Sequence, residues 1–365
     1  MSLELCEKCY RRLGIGRVVN AGECMICSGL LYRLEKVADD ILNKLKDYEF
    51  ETFLIGSRSY GSLKALEDYL NLDDKKKLKY QFNRELSRLL ASKSGKRYST
   101  EPDVTIIYDL ENSNFELQIT PLFIYGRYKK RVRGLSQTRW LCKFCDGKGC
   151  DVCGWTGKRY VSVEELITEP MMEFVNGKHA VLHGAGREDV DARMLGNGRP
   201  FIVEIQEPKR RKVDLKELER YVNEFCRGKV VVSDLKFVKS KDVEFIKSAK
   251  FVKVYRTKVV FEKEVSREQL ERALKILKKQ PIHQRTPLRV LHRRADLVRV
   301  RRVYDAKVLL HREKVAVIVV EAESGLYIKE LVSGDQGRTK PSLSEVLGVN
   351  CRVEKLDVIE VRGGL

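Results

Sequence analysis

Gly186-Arg187-Glu188-Asp189-Val190-Asp191-Ala192-Arg193 leads through Met194-Leu195-Gly196-Asn197-Gly198-Arg199-Pro200 into the apolar run Phe201-Ile202-Val203-Glu204-Ile205. The run reads as a strand, and the acids before it sit in a stretch punctuated by glycine, where a turn is expected. Asp189 and Asp191 are two residues apart. In an extended backbone both side chains would point to the same face, so direction alone does not choose between them. An aspartate in such a place either holds a turn through its own backbone or carries chemistry.

Outward from this stretch, residues 161–365 alternate helices with β-rich runs. Ser162-Val163-Glu164-Glu165 has the capping-box pattern and opens a helix to Val175, which Pro170 is expected to kink or split. Asp214 caps a helix with Leu215, Leu218, Tyr221, Val222 and Phe225 on one face. Ser266 with Gln269 caps another that runs to Leu277. Residues 201–205, 230–238, 251–261, 298–310 and 315–322 read as strands. This order predicts an α+β fold: a mixed, largely antiparallel sheet with helices on one side.

Two further blocks precede it. Residues 1–29 are short and cysteine-paired. Residues 30–160 mix helices, at 34–48 and 81–90, with strands at 53–56, 104–108 and 117–125, and close on a second cysteine cluster among glycine turns. Three domains are therefore expected, over 1–29, 30–160 and 161–365, as a chain of 365 residues allows.

Composition narrows the function. Lys and Arg outnumber acids 71 to 52, a net charge of +19. A heat-stable surface also carries many charges, but its ion networks need both signs, and this excess is one-sided. It is the footprint of a polyanion binder. The longest apolar run, near 315–320, suits a buried strand rather than a membrane span. The start, Met1-Ser2-Leu3-Glu4-Leu5-Cys6, lacks the basic and apolar regions of a signal peptide, so a cytoplasmic location without membrane contact is expected. Thiols stay reduced there, and clustered cysteines then point to metal.

Eight of the ten cysteines fall into four Cys-x-x-Cys pairs. Cys6/Cys9 with Cys24/Cys27 make one quartet, and Cys142/Cys145 with Cys150/Cys153 a tighter one. Two residues between thiolates let one turn aim both at a single ion, and two such turns complete a tetrahedron. One or two structural zinc ions are expected; the competing readings are free thiols or redox disulfides. Four thiolates leave no open coordination position, so the role is structural. The second quartet's Cys-x-x-Cys-x-Gly-x-Gly half resembles the repeat of zinc-binding co-chaperones, but Trp155 departs from it. Cys226 and Cys351 lie in apolar segments and read as core.

Other chemistries are read down. There is no Gly-x-x-x-x-Gly-Lys-Ser/Thr phosphate loop and no dinucleotide fingerprint, since Gly184-Ala185-Gly186 lacks the third glycine. His311-Arg312-Glu313 begins a deaminase-like pattern that no cysteine pair completes.

The stretch from Gly186 to Phe201 resembles the nucleophile motif of the archaeal-type tRNA pseudouridine synthases that act on the T arm. Matches follow in order at Thr286-Pro287-Leu288-Arg289-Val290-Leu291-His292-Arg293-Arg294, Gly325-Leu326-Tyr327-Ile328-Lys329-Glu330-Leu331-Val332 and Gly337-Arg338-Thr339-Lys340-Pro341. They cover most of 161–365. The middle block resembles a THUMP domain, an RNA-binding module, through its strand–helix order. The resemblance implies isomerisation of uridines 54 and 55 of tRNA, no catalytic cofactor and no nucleotide. It implies Asp189 as the catalytic carboxylate, with Asp191 as its rival, and Arg187 as the nearest cation to keep it ionised against burial. It implies Tyr255 as the aromatic beside the nucleophile, Tyr327 as a second substrate-contacting aromatic, and Ile328, Lys329 and Leu356 as further pocket positions. The bland alternatives are a core aromatic for Tyr255 and a surface charge for Lys329. Lys129-Lys130-Arg131-Val132-Arg133, Lys209-Arg210-Arg211-Lys212 and Arg299-Val300-Arg301-Arg302 suit a groove that tracks a phosphate backbone. A monomer acting on tRNA is expected. The rivals are a non-catalytic zinc and THUMP RNA-binding protein or RNA chaperone, and a THUMP-bearing methyltransferase or thiolase, which needs a cofactor loop not found here.

Overall fold

The computed structural model describes residues 3–365, the Arg293 side chain apart. Met1 and Ser2, where the stretch read for a signal peptide begins, lie outside the described residues.

Local signals set many of the elements. The Glu165 N–H donates to Ser162 Oγ at 3.1 Å and the Ser162 N–H to Glu165 Oε2 at 3.0 Å, closing the expected capping box ahead of helix Val163–Val175. That helix runs through Pro170 without splitting in two. Val163, Ile167, Met171 and Val175 form one fully buried stripe that holds both halves on the same core. Asp214 caps Leu215–Cys226, and Ser266 with Gln269 boxes the start of Arg267–Lys279.

Two expected strands break. Residues 117–125 divide into Asn114–Ile119 and Leu122–Lys130 around Pro121, which has no N–H for a ladder. Residues 298–310 divide at Arg302 into Val298–Arg301 and Val303–Arg312, which join different sheets.

The chain falls into two compact units. The first runs up to Leu122 and takes in Val175–His179 and Gln206–Lys212. Its four-stranded sheet has the order Arg97–Tyr98, Thr52–Arg58, Val104–Asp109, Asn114–Ile119. The first two pairings are parallel and the last antiparallel. Helices Leu34–Leu45 and Leu78–Ser94 lay Val37, Ile41, Phe82 and Leu86 into the same core as Phe53, Ile55, Val104 and Ile106. Cys6, Cys9, Cys24 and Cys27 belong to that core too.

The second unit comprises Phe123–Phe174, Ala180–Ile205 and Val213–Leu365. The division falls near Leu122, ahead of the boundary read at 160. Residues from Phe123 onward form an inner strand of the large sheet, and the second cysteine quartet comes with them. The large sheet has eight strands. Seven follow the order Val230–Val238, Leu122–Lys130, Arg193–Gln206, Cys351–Arg362, Val252–Phe261, Val315–Ala322, Val303–Arg312, and His179–Gly184 pairs with Arg193–Gln206. Arg193–Gln206 meets Cys351–Arg362 in parallel, while Val252–Phe261 is antiparallel to both its neighbours. Gly196, at φ 60°, lets these strands meet: a Cβ there would stand 1.7 Å from the Ile359 carbonyl oxygen. A three-stranded sheet, Val298–Arg301, Ile282–Arg285, Thr339–Lys340, and a hairpin of Trp140–Leu141 with Lys158–Tyr160 complete the unit. Among the described residues no helix is long and apolar enough to cross a membrane.

Candidate active site

The Gly186–Asp191 stretch is the connection between strands His179–Gly184 and Arg193–Gln206. It is not extended. A turn follows Asp189, whose carbonyl accepts the Ala192 N–H at 3.0 Å. The two aspartates are therefore not bound to one face, and their surroundings differ. The Asp189 side chain is 25% exposed and the Asp191 side chain 64%. Gly186 has φ 80°, and a Cβ there would press on Arg199 Nη1 at 3.2 Å and Lys253 Nζ at 3.4 Å.

Asp189 lines a cleft with Tyr255, Arg289, Tyr327, Ile328, Lys329 and Leu356. Arg289 Nη1 donates to Asp189 Oδ1 at 2.9 Å, and Lys329 Nζ stands 3.4 Å from Oδ2. Burial alone would push this carboxyl up, but Arg289 and Lys329 outweigh it and hold it below the ordinary aspartate range. Arg289 comes from the short helix Leu288–Arg293 and is fixed from behind by the buried Glu330, through Nε–Oε1 at 2.6 Å. Lys329 also reaches both oxygens of Asp191 at 2.8 Å. The expected partner, Arg187, has its guanidinium 5.2 Å from the centre of the Trp140 ring. The ion pairs to Asp189 come from residues far along the chain, which adjacency does not reveal.

Tyr255 lies mid-strand, opposite Val320 and Val358, and is buried. Burial pushes its phenol up to about 12, so it stays neutral beside Asp189. Tyr327 caps helix Ile328–Ser333, and Gln284 clamps its backbone through its N–H at 2.8 Å and its carbonyl at 3.1 Å. The Arg289 guanidinium sits 5.8 Å from its ring centre. Ile328 and Leu356 are buried cleft walls.

Beneath the loop lies a buried polar network. Glu188 Oε2 pairs with Arg199 Nε at 2.9 Å and accepts the Tyr128 hydroxyl at 2.8 Å. Lys130 Nζ stands 3.9 Å from Glu188 Oε1 and donates to the carbonyls of Leu135 at 2.9 Å and Asp189 at 3.0 Å. Gln137 ties the Gly186 carbonyl to the Tyr128 hydroxyl, each at 2.8 Å. All five side chains are buried. Lys253, also buried, donates to Ser324 Oγ at 3.2 Å; burial, aided by Arg199, brings its amine down to about 7.

Sequence alone gives no role to Arg289, Glu330, Glu188, Arg199 or Lys253, and places Lys130 in a phosphate-tracking groove. Arg289 and Glu330 lie inside stretches that match the synthase motifs, the one signal available. The basic stretches need correcting. Lys130 is floor, not groove, and Arg133 is taken by Asp357 at 2.6 Å. Lys212 pairs with Glu51 at 2.7 Å and Arg211 with Asp103 at 3.5 Å. Arg299 and Arg301 do line the cleft.

Each cysteine quartet gathers its four sulfurs within 4.8 Å of one another. Sulfurs on a tetrahedron with ~2.3 Å zinc–sulfur bonds stand about 3.8 Å apart. Cys6 and Cys27 are 3.6 Å apart, Cys142 and Cys150 3.9 Å, and Cys150 and Cys153 3.7 Å. Both quartets fit one ion each. The first is fully buried, while in the second only Cys142 is buried.

Residues 123–362 match the family description "Pus10, C-terminal", and residues 37–109 match "Pus10 THUMP domain, archaeal". A tRNA pseudouridine synthase Pus10 from Archaeoglobus fulgidus is 54% identical over 361 residues, covering 98% of this chain and 100% of that one. The protein of that name from Methanothrix thermoacetophila is 45% identical over 366 residues, covering 98% and 80%. Among solved structures, a Cbf5-Nop10-Gar1 complex aligns with 54% of this chain and 44% of its own at 18% identity, with a TM-score of 0.35.

Proposed function

The chain belongs to the Pus10 family of tRNA pseudouridine synthases, and from that premise we propose that it isomerises uridines 54 and 55 of the T arm with Asp189 as nucleophile. The observation that carries this reading is the setting of the Asp189 carboxylate. It is sheltered in the cleft, paired with Arg289 and Lys329, and neighboured by the neutral phenol of Tyr255. Asp191, mostly in solvent, has Lys329 as its ion-pair partner and serves the rim.

Asp189 attacks the ribose C1′ as the C1′–N1 electron pair leaves with the uracil. The freed base turns, C5 bonds to C1′, and the carboxylate departs unchanged. N1 gains a proton and C5 loses one, so the sum is an isomerisation. The target base must leave its stack to reach the cleft. Tyr255 and Tyr327 then hold it by stacking, worth ~1–3 kcal/mol per base. Ile328 and Leu356 wall the pocket, and Arg187 with Lys329 meets the backbone. The non-catalytic alternative gives no reason for Asp189, Tyr255 and Arg289 to line one cleft.

We also read both quartets as structural zinc sites. Metal analysis should return two zinc ions per chain, and none would overturn that reading. Incubating the purified protein with unmodified tRNA and mapping pseudouridine tests the function. Product at 54 and 55 is expected; no product, or product only elsewhere, would overturn it.

A further inference from the structure

The Asp189 cleft does not end at Arg289. It continues past Arg187 and Arg294 to Trp140, Lys143 and Arg159, all three on the second cysteine hairpin. Lys143 and Arg159 also line the next depression, with Phe144 and Val152. One groove therefore runs from the candidate nucleophile across the hairpin.

Its chemistry is that of a nucleic-acid track. Among the described residues the hairpin end is lined by three cations, Lys143, Lys158 and Arg159, and by no acid. Phe144 is 79% exposed and Val152 68%. A large aromatic left in water inside a cationic groove offers a stacking face for a base. The Arg187 guanidinium lies 5.2 Å from the Trp140 ring centre, and that of Arg159 5.3 Å from the Tyr160 ring centre. Lys158 is already paired with Glu165, and a peptide would use the apolar face but leave Lys143 and Arg159 unmatched. The net charge of +19 also favours a polyanion.

We propose that the second cysteine hairpin is a metal-ordered finger that grips the substrate tRNA strand leading away from the target uridine. Phe144 stacks on an unpaired base, and Lys143 and Arg159 meet phosphates. The inference rests on the reading of the Asp189 cleft as the reacting end of the groove. Cys142, Cys145, Cys150 and Cys153 fix the loop that carries Lys143 and Phe144, and the metal they hold contributes no chemistry.

The test uses the full chain and unmodified tRNA. Filter binding across a salt series gives Kd, and steady-state kinetics give KM and kcat, for Phe144→Ala and for the Lys143→Ala/Arg159→Ala pair. Metal content is checked in each, and a variant that has lost metal is replaced as arbiter by the other. Phe144→Ala should weaken tRNA binding by about tenfold. The paired variant should weaken it too, and should lower the slope of log Kd against log salt by about 1.4, ~0.7 for each single-strand phosphate no longer neutralised. KM should rise in step while kcat holds within about twofold. Unchanged Kd and salt slope in both would overturn the proposal and leave the face to a protein partner. A fall in kcat at unchanged Kd would overturn it as well. The binding arm can be repeated in an Asp189→Asn background, where turnover reports separately on the nucleophile assignment.

Discussion

Below the Gly186–Asp191 loop and above it, charged side chains are put to opposite uses. Below, Glu188, Arg199 and Lys130 are sealed from water, each held by partners on other strands or loops. Above, Asp189, Asp191, Arg289 and Lys329 pair across a cleft open to solvent. Glu188 and Asp189 are neighbours in sequence, yet one lies in the floor and the other faces the cleft. The difference shows how a loop without regular structure can be both rigid and reactive. Its carbonyls and the acid beneath them are pinned, which fixes the backbone that carries the Asp189 carboxylate.

The contrast can be broken from below first. Glu188→Ala leaves the Arg199 guanidinium buried and unpaired, and breaking such a pair costs about 3–5 kcal/mol. Denaturant unfolding should register that loss, while Asp191→Asn, at an exposed pair, should change stability by less than ~0.5 kcal/mol. Equal effects would erase the distinction between floor and rim.

From above, Arg289→Ala should come next. It removes a charged hydrogen bond from Asp189 and strands Glu330, and a loss of about 1.5–3 kcal/mol in transition-state stabilisation is a fall of ~10- to 150-fold in kcat/KM. It should also move the acid limb of the pH–rate profile. The Asp189 carboxyl is held low by Arg289 and Lys329 against burial, so the wild-type limb lies below the ordinary aspartate pKa of ~3.9. Without Arg289, burial dominates and the limb moves to higher pH. The same sign holds for stability: the contribution of a depressed carboxyl is present above its unfolded pKa and lost as pH falls through the folded one. A limb that stays still would remove Arg289 from this role.

Lys253→Met should change how stability depends on pH. Its buried amine, brought down to about 7, gives up in the folded chain a proton that the unfolded one binds. Wild-type stability should therefore rise between pH 7 and the unfolded lysine value of ~10.4, and the variant should lose that slope.

Which parts were legible in the sequence follows the same line between local and distant. The capping boxes at Ser162 and Ser266, both cysteine quartets and the loop carrying Asp189 are written in spacings of a few residues. The break at Pro121 was also legible in principle, because proline cannot serve a ladder. The floor was not. Lys130 sits in a run of cations that reads as surface, and only the fold buries it under Glu188. Arg289 lay inside a recognised motif with no role, because its partner is 100 residues away. Arg187, the obvious partner by adjacency, stacks on Trp140. Sequence proximity is a poor guide to pairing where a loop reverses direction.

The central claim is that the cleft's chemistry rests on Asp189 and not on Asp191. Single-turnover pseudouridine formation on unmodified tRNA, with Asp189→Asn and Asp191→Asn measured side by side, tests it most directly. The account predicts no detectable product from Asp189→Asn and a near wild-type rate from Asp191→Asn. Product from Asp189→Asn at the wild-type rate would contradict it.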